Sequence, residues 1–427
     1  MIKLMLNFDQ AKALLLALVL LLPVAPHLAL SQTPIVSPES VGVSSQRLAL
    51  VDSMLQQHVH DGRVPGLVAG VSRHGQLVFL KSYGWQDIEN KLSMQEDSIF
   101  QIRSMSKPIT AVAVLQLIDQ GKLKLNDPVA NYIPSFSAVR VFNNSETQDL
   151  NDTRSPSRAI TIEDLLLNTA GLSHRFSTLY RDNRVRSRAD SLETLVDKVA
   201  SIPLIGDPGE QWVYSISITV LGRVVEIVSG QTFDNYLERN LFNPLAMTDT
   251  GFYVKPQQQA RLAKAYVAGT SREPLKLLPP MDIPITEKPP LMEGAAGLVS
   301  TVPDYLRFLQ ALLNKGELNG SRILSSESVI AATTNQVADR LLPIGTNPNA
   351  PMLDRGWGYG ISVVVDASKS PYGANNGEFA WGGSLGTQAW ADPNTGMAVV
   401  IMLQVQPAGA FDIASKFKAM VYQSVID

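Results

Sequence analysis

The chain has 427 residues, of which 45% are hydrophobic and 18% are charged. This length and composition are typical of a globular protein with a sizeable core, built as one large domain or two ordinary ones. The formal net charge of -3 gives no general attraction for phosphate backbones, so nucleic acid is not expected as a partner. The absence of cysteine excludes disulfides, thiolate metal sites and a cysteine nucleophile.

Residues 1–31 have the pattern of a secretory signal peptide. Lysines precede an apolar run over residues 13–25, and small residues follow up to Ser31. Pro23 interrupts the run, and the run is shorter than the about 18 residues of a membrane span, so we expect a cleaved peptide rather than an anchor. The sequence therefore predicts a periplasmic or secreted protein, cleaved near Ser31 and without a stable membrane span afterwards.

Beyond a linker over residues 32–41, the predicted strands stand at both ends of the chain, with helices between them. Helical spacing and capping residues predict helices over residues 46–59, 108–120, 162–168, 219–228 and 413–425. Strand patterns cover residues 66–72 and 77–81, which form a hairpin, and residues 359–365, 387–391 and 397–403. This order predicts an α+β domain over residues 42–427. One antiparallel sheet is flanked by N- and C-terminal helices, and a mostly helical lobe covers roughly residues 122–300.

A serine three residues ahead of a lysine stands at the start of the nearly all-apolar second helix. Residues with this spacing share a helical face, so the amine of Lys107 can reach the hydroxyl of Ser104. Burial and the positive end of the helix should lower the pKa of the lysine and stabilise developing negative charge. Ser104 is therefore a candidate nucleophile that needs no histidine. The same spacing at Ser415 and Lys418, in a terminal amphipathic helix, is interpreted as a helix cap with a surface lysine.

A serine nucleophile also needs a proton carrier and a site for the oxyanion, and two later segments contain suitable groups. Tyr214 stands directly before a helix. Trp381 is followed by Gly382, Gly383 and Ser384, where the glycines allow the backbone to approach a ligand closely. Taken alone, each segment is more typical of packing or of an ordinary turn.

Two other patterns in the chain suggest a different nucleophile or a metal site, and the sequence argues against both. Residues 382–386 match the Gly-x-Ser-x-Gly elbow of α/β-hydrolases, which would make Ser384 the nucleophile. That fold places its histidine after the serine, whereas all five histidines of this chain precede position 384. His58 and His60 have no matching ligand set, so neither a metal nor another cofactor is expected. His174 is interpreted as a polar loop residue, with a place in the cleft as the alternative.

In this order, the segments resemble the serine β-lactamase and penicillin-binding transpeptidase superfamily, and in particular its class C-like branch, which contains the family VIII carboxylesterases. The resemblance covers roughly residues 42–424. Its blocks lie at residues 102–110, 123–134, 165–172, 243–250 and 294–301. The resemblance implies a β-lactamase/transpeptidase-like fold with Ser104 as nucleophile and Lys107 and Tyr214 as the proton-transfer pair. It also implies an oxyanion hole made by the backbone N–H groups of Ser104 and Ser384.

Two departures from the superfamily pattern favour an ester substrate. β-Lactamases and peptidases of the superfamily carry Tyr-x-Asn, whereas this chain has Ile216 two residues after Tyr214. They also carry a Lys-Thr-Gly-like triplet, whereas this chain has Trp381, Gly382 and Gly383. Ile216 cannot hydrogen-bond an amide, and Trp381 cannot pair with a substrate carboxylate.

The sequence therefore predicts an exported serine hydrolase that acts on small, neutral, apolar carboxylic esters. Acyl transfer on the same site remains an alternative, as does β-lactamase or D-Ala peptidase activity. A non-catalytic binding protein of the same fold is a further alternative. The sequence predicts neither the natural substrate nor the oligomeric state.

Overall fold

An antiparallel sheet joins the two ends of the chain. The computed structural model describes residues 34–269, 273–346, 350–409 and 411–426. Within these residues, the main sheet contains β1 (Gly66–Arg73), β2 (Gln76–Asp87), β3 (Leu92–Ser93), β4 (Arg355–Trp357), β5 (Ser362–Val364), β6 (Phe379–Gly382), β7 (Gln388–Asp392) and β8 (Met397–Leu403). The strands are ordered β4-β5-β6-β7-β8-β1-β2-β3, so β1 pairs with β8. The prediction of one sheet interrupted by a long insertion is confirmed.

Ten α-helices surround the sheet in the described part of the chain. They are α1 (Ser45–His60), α2 (Ser106–Asp119), α3 (Ile162–Leu167), α4 (Thr178–Asp182), α5 (Leu192–Ala200), α6 (Ser217–Ser229), α7 (Phe233–Leu237), α8 (Val302–Leu313), α9 (Ser326–Ala332) and α10 (Ile413–Gln423). Short strand pairs join Phe100–Gln101 to Val299–Ser300, Val141–Phe142 to Thr153–Arg154 and Glu317–Leu318 to Ser321–Arg322. Tyr266–Val267 lies between Lys276–Leu277 and Val405–Gln406.

The predicted helices agree with the structure to within a few residues, because the capping residues act as the sequence indicated. Thr161 and Asp164 form the predicted capping box at the start of α3. Gly230 ends α6 with φ at 67°, a left-handed conformation that glycine adopts without strain. Helix α2 begins two residues before the predicted position, at Ser106, because Pro108 fits in a first helical turn, where its missing N–H is not needed.

The two faces of the sheet contribute to two separate cores. On β1, Leu67, Ala69 and Val71 pack with side chains of α1 and α10, whereas Val68 packs with the larger core that contains α2 and α8. This split follows from the alternation of side chains along a strand. At Gly70 a β-carbon would lie 2.7 Å from Val302 Cγ1, so the glycine allows α8 to lie close against the sheet. Helix α2, which carries Lys107 and directly follows the turn with Ser104, therefore lies on the α8 side of the sheet.

The predicted signal peptide over residues 1–31 lies outside the described residues. In the described part of the predicted linker, the backbone N–H of Val36 donates to Leu77 at 2.9 Å, and Glu39 accepts from the N–H of Ser45 at 2.8 Å. Among the residues that the structure describes, no helix has the length and apolar character needed to cross a membrane.

Candidate active site

Ser104 lies in a 3-10 turn over Arg103–Met105 that leads directly into α2. The hydroxyl of Ser106, at the start of the helix, accepts a hydrogen bond of 3.2 Å from the N–H of Leu298. The hydroxyl of Tyr305 on α8 donates to the carbonyl of Met105 at 2.9 Å. The backbone of the turn is thus held from both sides.

Lys107 lies one helical turn after Ser104, and its side chain is enclosed by the protein. The residue is 1% exposed. Its Nζ lies 3.4 Å from Ser104 Oγ and donates a shorter hydrogen bond of 2.9 Å to the carbonyl of Ala295. Burial lowers the pKa of Lys107 below its ordinary value, as the sequence predicted. The amine is therefore close enough to Ser104 to accept its proton, and its environment favours the neutral form that this requires.

Tyr214 brings a second polar group to the same place. Its ring lies 4.5 Å from the Lys107 amine, and its hydroxyl accepts a hydrogen bond of 3.1 Å from Trp381 Nε1. The segment before α6 is held by Asn168, whose side-chain oxygen accepts from the N–H of Ser215 at 3.2 Å. The structure thus brings together Ser104, Lys107 and Tyr214, and Trp381 orients the tyrosine.

Aromatic rings form one wall of the site around Tyr214. The centroid of its ring lies 5.4 Å from that of Trp381, 6.2 Å from that of Trp212 and 6.4 Å from that of Trp357. The ring of His174 stacks on Tyr214 at 5.9 Å. Burial lowers the pKa of His174 to about 4, so this ring is neutral at neutral pH. His174 therefore belongs to the wall of the site, which was the alternative to an ordinary loop position.

The turn after β6 reaches the segment that carries Ser104. At Gly383 a β-carbon would lie 2.4 Å from the carbonyl oxygen of Ile102 and 2.3 Å from Thr387 Oγ1, so only glycine allows this approach. The N–H of Gly383 donates to Thr387 at 2.7 Å. Ser384 is exposed in the turn, and within the described residues its N–H has no hydrogen-bond acceptor. Gly382 ends β6 beside this turn.

The same turn excludes the α/β-hydrolase elbow. That motif requires a strand followed by a helix. Here Ser384 connects β6 to the antiparallel strand β7. Ser384 therefore does not lie in a nucleophile elbow, in agreement with the sequence analysis.

Ile216 occupies a position unlike that of the other predicted site residues. It is fully buried at the start of α6, and its N–H donates to Ser173 at 3.2 Å. Its side chain packs in the larger core. A contact between Ile216 and substrate therefore stays a prediction. The side chain of Ile216 has no accessible surface for such a contact.

The second Ser-x-x-Lys pattern lies elsewhere. Ser415 and Lys418 line a cavity of about 530 Å³ beneath α10, on the sheet face opposite α8. Lys418 is buried, and its amine binds the buried carboxylate of Glu378 at 2.5 Å. Arg355 binds the same carboxylate at 2.7 Å. Ser415 is thus not part of the Ser104 site, although Lys418 is buried rather than at the surface as expected.

A buried ion cluster beside Lys107 was not predicted from the sequence. Glu293 is 3% exposed, and its two oxygens bind Arg175 at 2.7 Å and Arg186 at 2.6 Å. Glu293 lies two residues before Ala295, the partner of the Lys107 amine. Glu293 directly precedes residues 294–301, one of the segments that carry the family resemblance. No spacing in the sequence links Glu293 to arginines more than 100 residues earlier.

An antiparallel sheet between helical layers, with a serine and a buried lysine one helical turn apart, defines a serine hydrolase of the β-lactamase and transpeptidase superfamily. The family model described as Beta-lactamase matches residues 51–421, and the chain belongs to this family. The predicted fold and superfamily are thereby confirmed.

Several relatives are similar over most of the chain. Protein Rv1367c of Mycobacterium tuberculosis is 33% identical over 361 residues, covering 83% of this chain and 89% of its own. Esterase EstB of Burkholderia gladioli is 30% identical over 382 residues, with the same shares covered. Among solved structures, EstCE1, described as a hydrolase with promiscuous acyltransferase activity, has a TM-score of 0.75 and 26% identity. The match covers 90% of this chain and 99% of that one.

Proposed function

We propose that this protein is an exported serine hydrolase that cleaves carboxylic esters through an acyl-enzyme on Ser104. One observation carries the proposal: the hydroxyl of Ser104 lies 3.4 Å from the amine of the buried Lys107. A lysine whose pKa is lowered by burial is a base that can activate a serine without a histidine.

In the first half of the proposed reaction, Ser104 Oγ attacks the ester carbonyl carbon while its proton passes to the Lys107 amine. The carbonyl oxygen becomes an oxyanion, for which the N–H groups of Ser104 and Ser384 are the proposed donors. The carbon–oxygen bond to the alcohol then breaks, and the proton reaches the departing oxygen through Lys107 and the Tyr214 hydroxyl. The second half repeats these steps with water as nucleophile and releases the acid and free Ser104.

An ester is favoured over a β-lactam by the groups around the nucleophile. The indole N–H of Trp381 binds Tyr214, so this position supplies orientation of the tyrosine rather than a cation for a substrate carboxylate. The partly exposed rings of Tyr214 and Trp381 offer apolar surface to an acyl or alcohol group. EstB is named as an esterase and EstCE1 is described as a hydrolase, which also supports an ester substrate.

Acyl transfer is the second candidate, and the promiscuous acyltransferase activity of EstCE1 favours it specifically. The same acyl-enzyme would then pass its acyl group to an alcohol or amine instead of water. Product analysis with added acceptor alcohols separates the two, because transfer yields a new ester and hydrolysis yields the free acid.

A panel of p-nitrophenyl esters run beside nitrocefin tests the proposed function. We expect ester hydrolysis by the wild type and by Ser384→Ala and Ser415→Ala, since the proposed role of Ser384 uses only its backbone. Ser104→Ala should lose turnover. Nitrocefin cleavage that exceeds hydrolysis of every ester would replace the esterase proposal with a β-lactamase.

Export is tested with the full chain expressed in a bacterium. Mass spectrometry of the purified protein should find a mature N-terminus near Ser31, with the protein in the periplasm or medium. A chain that keeps residues 1–31 and stays in the cytoplasm would contradict the proposed localisation.

A further inference from the structure

Four arginines gather beside the turn that carries Ser104. Arg103 directly precedes the nucleophile, Arg175 lies between α3 and α4, and Arg186 and Arg188 lie between α4 and α5. Burial and, to a smaller extent, the other three guanidinium groups together lower the pKa of Arg103 to about 10, with Glu293 opposing them. Arg175 and Arg186 bind the same carboxylate, that of Glu293, and Arg188 follows Arg186 by two residues. The edge of the site is therefore a concentration of positive charge.

Glu293 neutralises only two of these arginines. Its carboxylate binds Arg175 through one oxygen and Arg186 through both, at 2.6–3.1 Å. Burial by itself raises the pKa of Glu293, but Arg175 and Arg186 outweigh it and the pKa falls to about 2. The carboxylate is thus charged and accepts three hydrogen bonds from these two arginines, and in the described chain it forms no ion pair with Arg103 or Arg188.

Arg103 and Arg188 lack a matching acceptor. The Nε and Nη2 atoms of Arg188 are buried, and among the described residues neither has a hydrogen-bond partner or an ion pair. Asp282 acts on Arg188 electrostatically but is exposed and forms no ion pair with it in the described chain. The Nη1 of Arg103 contacts only the sulfur of Met281, at 3.9 Å, and a thioether is a weak acceptor. Buried N–H groups such as those of Arg188 are normally paired, so an acceptor is missing beside this residue.

We propose that Arg103 and Arg188 form an anion-binding subsite of the cleft, which takes a carboxylate carried by the ester substrate. The inference rests on the function proposed above and names its substrate class: esters with one negative charge, such as monoesters of dicarboxylic acids. Guanidinium groups bind carboxylates through paired N–H donors, and both arginines have N–H groups without an oxygen acceptor in the described chain. The cation that Trp381 does not provide is then supplied by Arg103 and Arg188.

The carboxylate can belong to the acyl part or to the alcohol part, and two matched substrate pairs separate these sources. Mono(p-nitrophenyl) glutarate and p-nitrophenyl pentanoate differ on the acyl side. p-Acetoxybenzoate and its methyl ester differ on the alcohol side. In each pair, the ratio of kcat/KM for the anionic ester to that for the neutral ester is compared within one protein preparation, so any loss of folded enzyme cancels.

In one of the pairs the wild type should prefer the anionic ester, and Arg188→Gln should lower that ratio by at least about tenfold. Arg181→Gln is the matched control, because its side chain is 68% exposed on the nearby α4, and it should keep the wild-type ratio. An unchanged ratio in Arg188→Gln for both pairs, or a wild-type preference for the neutral ester in both, would overturn the subsite.

Binding without turnover separates this inference from the esterase proposal. Calorimetry on Ser104→Ala should detect monomethyl glutarate or p-acetoxybenzoate, with affinity at least about tenfold weaker when Arg188→Gln is added. Such binding in a protein whose wild type hydrolyses no ester would reject the esterase and keep the subsite. Ester hydrolysis without binding or charge preference would reject the subsite alone.

Discussion

The amine of Lys107 is enclosed by the carbonyl of Ala295, the ring of Tyr214 and the hydroxyl of Ser104. A protonated lysine has three donors and no acceptor, so in that form it cannot take the serine proton. Burial lowers the pKa of Lys107 below 10.5 and so increases the neutral fraction at a given pH. The proposed reaction depends on this one protonation state.

The neutral form of Lys107 sets the sign of the pH dependence. Because the neutral amine is the active form, kcat/KM for a p-nitrophenyl ester should fall as the pH falls through the pKa of Lys107, and that fall should lie below the ordinary lysine range. Lys107→Arg keeps the charge but cannot give up its proton, so we expect a loss of about 10²- to 10⁴-fold. The measurement is a pH–rate profile of both proteins. Retained activity in Lys107→Arg would contradict a role for Lys107 as base.

On the scale of elements, the turn between β6 and β7 and the turn before α2 meet at Gly383. The strand brings Trp381 to Tyr214, and the next residues bring the backbone to within contact of Ile102. Two elements far apart in sequence thus define the space between Ser104 and Ser384. A side chain at Gly383 would push these turns apart.

Gly383→Ala should therefore reduce kcat by about 10²- to 10³-fold, the usual loss when an oxyanion donor is displaced. Gly251→Ala is the control, since a β-carbon there would meet only the Tyr253 carbonyl at 3.8 Å, an ordinary contact. Steady-state kinetics of the two variants, with circular dichroism to check folding, makes the comparison. Equal kcat values would show that the approach at Gly383 is unimportant for the reaction.

On the scale of the whole molecule, Glu293 ties together segments that are distant in the chain. Its partners Arg175 and Arg186 lie 118 and 107 residues earlier. Removing a buried carboxylate leaves buried cations uncompensated, which typically costs about 3–5 kcal/mol. The cluster should therefore contribute to the stability of the fold as well as to the charge of the site.

Glu293→Gln should lower the free energy of unfolding by about 3–5 kcal/mol at neutral pH. The pKa of Glu293 is lowered from 4.5 to about 2, so its stabilisation is fully present above pH 4.5 and is lost as the pH falls toward 2. Urea unfolding at several pH values should show the difference from wild type shrinking over that interval. Glu317→Gln, which removes an exposed pair with Arg322, should cost at most about 1 kcal/mol. Similar losses in the two variants would contradict the assigned role of Glu293.

Local patterns predicted the parts of this molecule that depend on neighbouring residues. The apolar runs of β1 and β8, the capping of α3 and the spacing of Ser104 and Lys107 are of this kind. Contacts between distant segments left no such pattern: Trp381 and Tyr214 are 167 residues apart, and Lys107 and Ala295 are 188 apart. The family resemblance indicated Tyr214, because the segments were compared together and in chain order, although Ile216 replaces the asparagine of the Tyr-x-Asn motif. It gave no indication of the arginine cluster, since loop residues have no periodicity that specifies where they pack.

The central claim, that Ser104 is the nucleophile, is tested most directly by labelling with a fluorophosphonate and mapping the adduct by mass spectrometry. We expect one adduct, on the peptide that contains Ser104. It should be absent from Ser104→Ala and present in Ser384→Ala and Ser415→Ala. An adduct on Ser384 or Ser415, or undiminished labelling of Ser104→Ala, would contradict the assignment of Ser104 as the nucleophile.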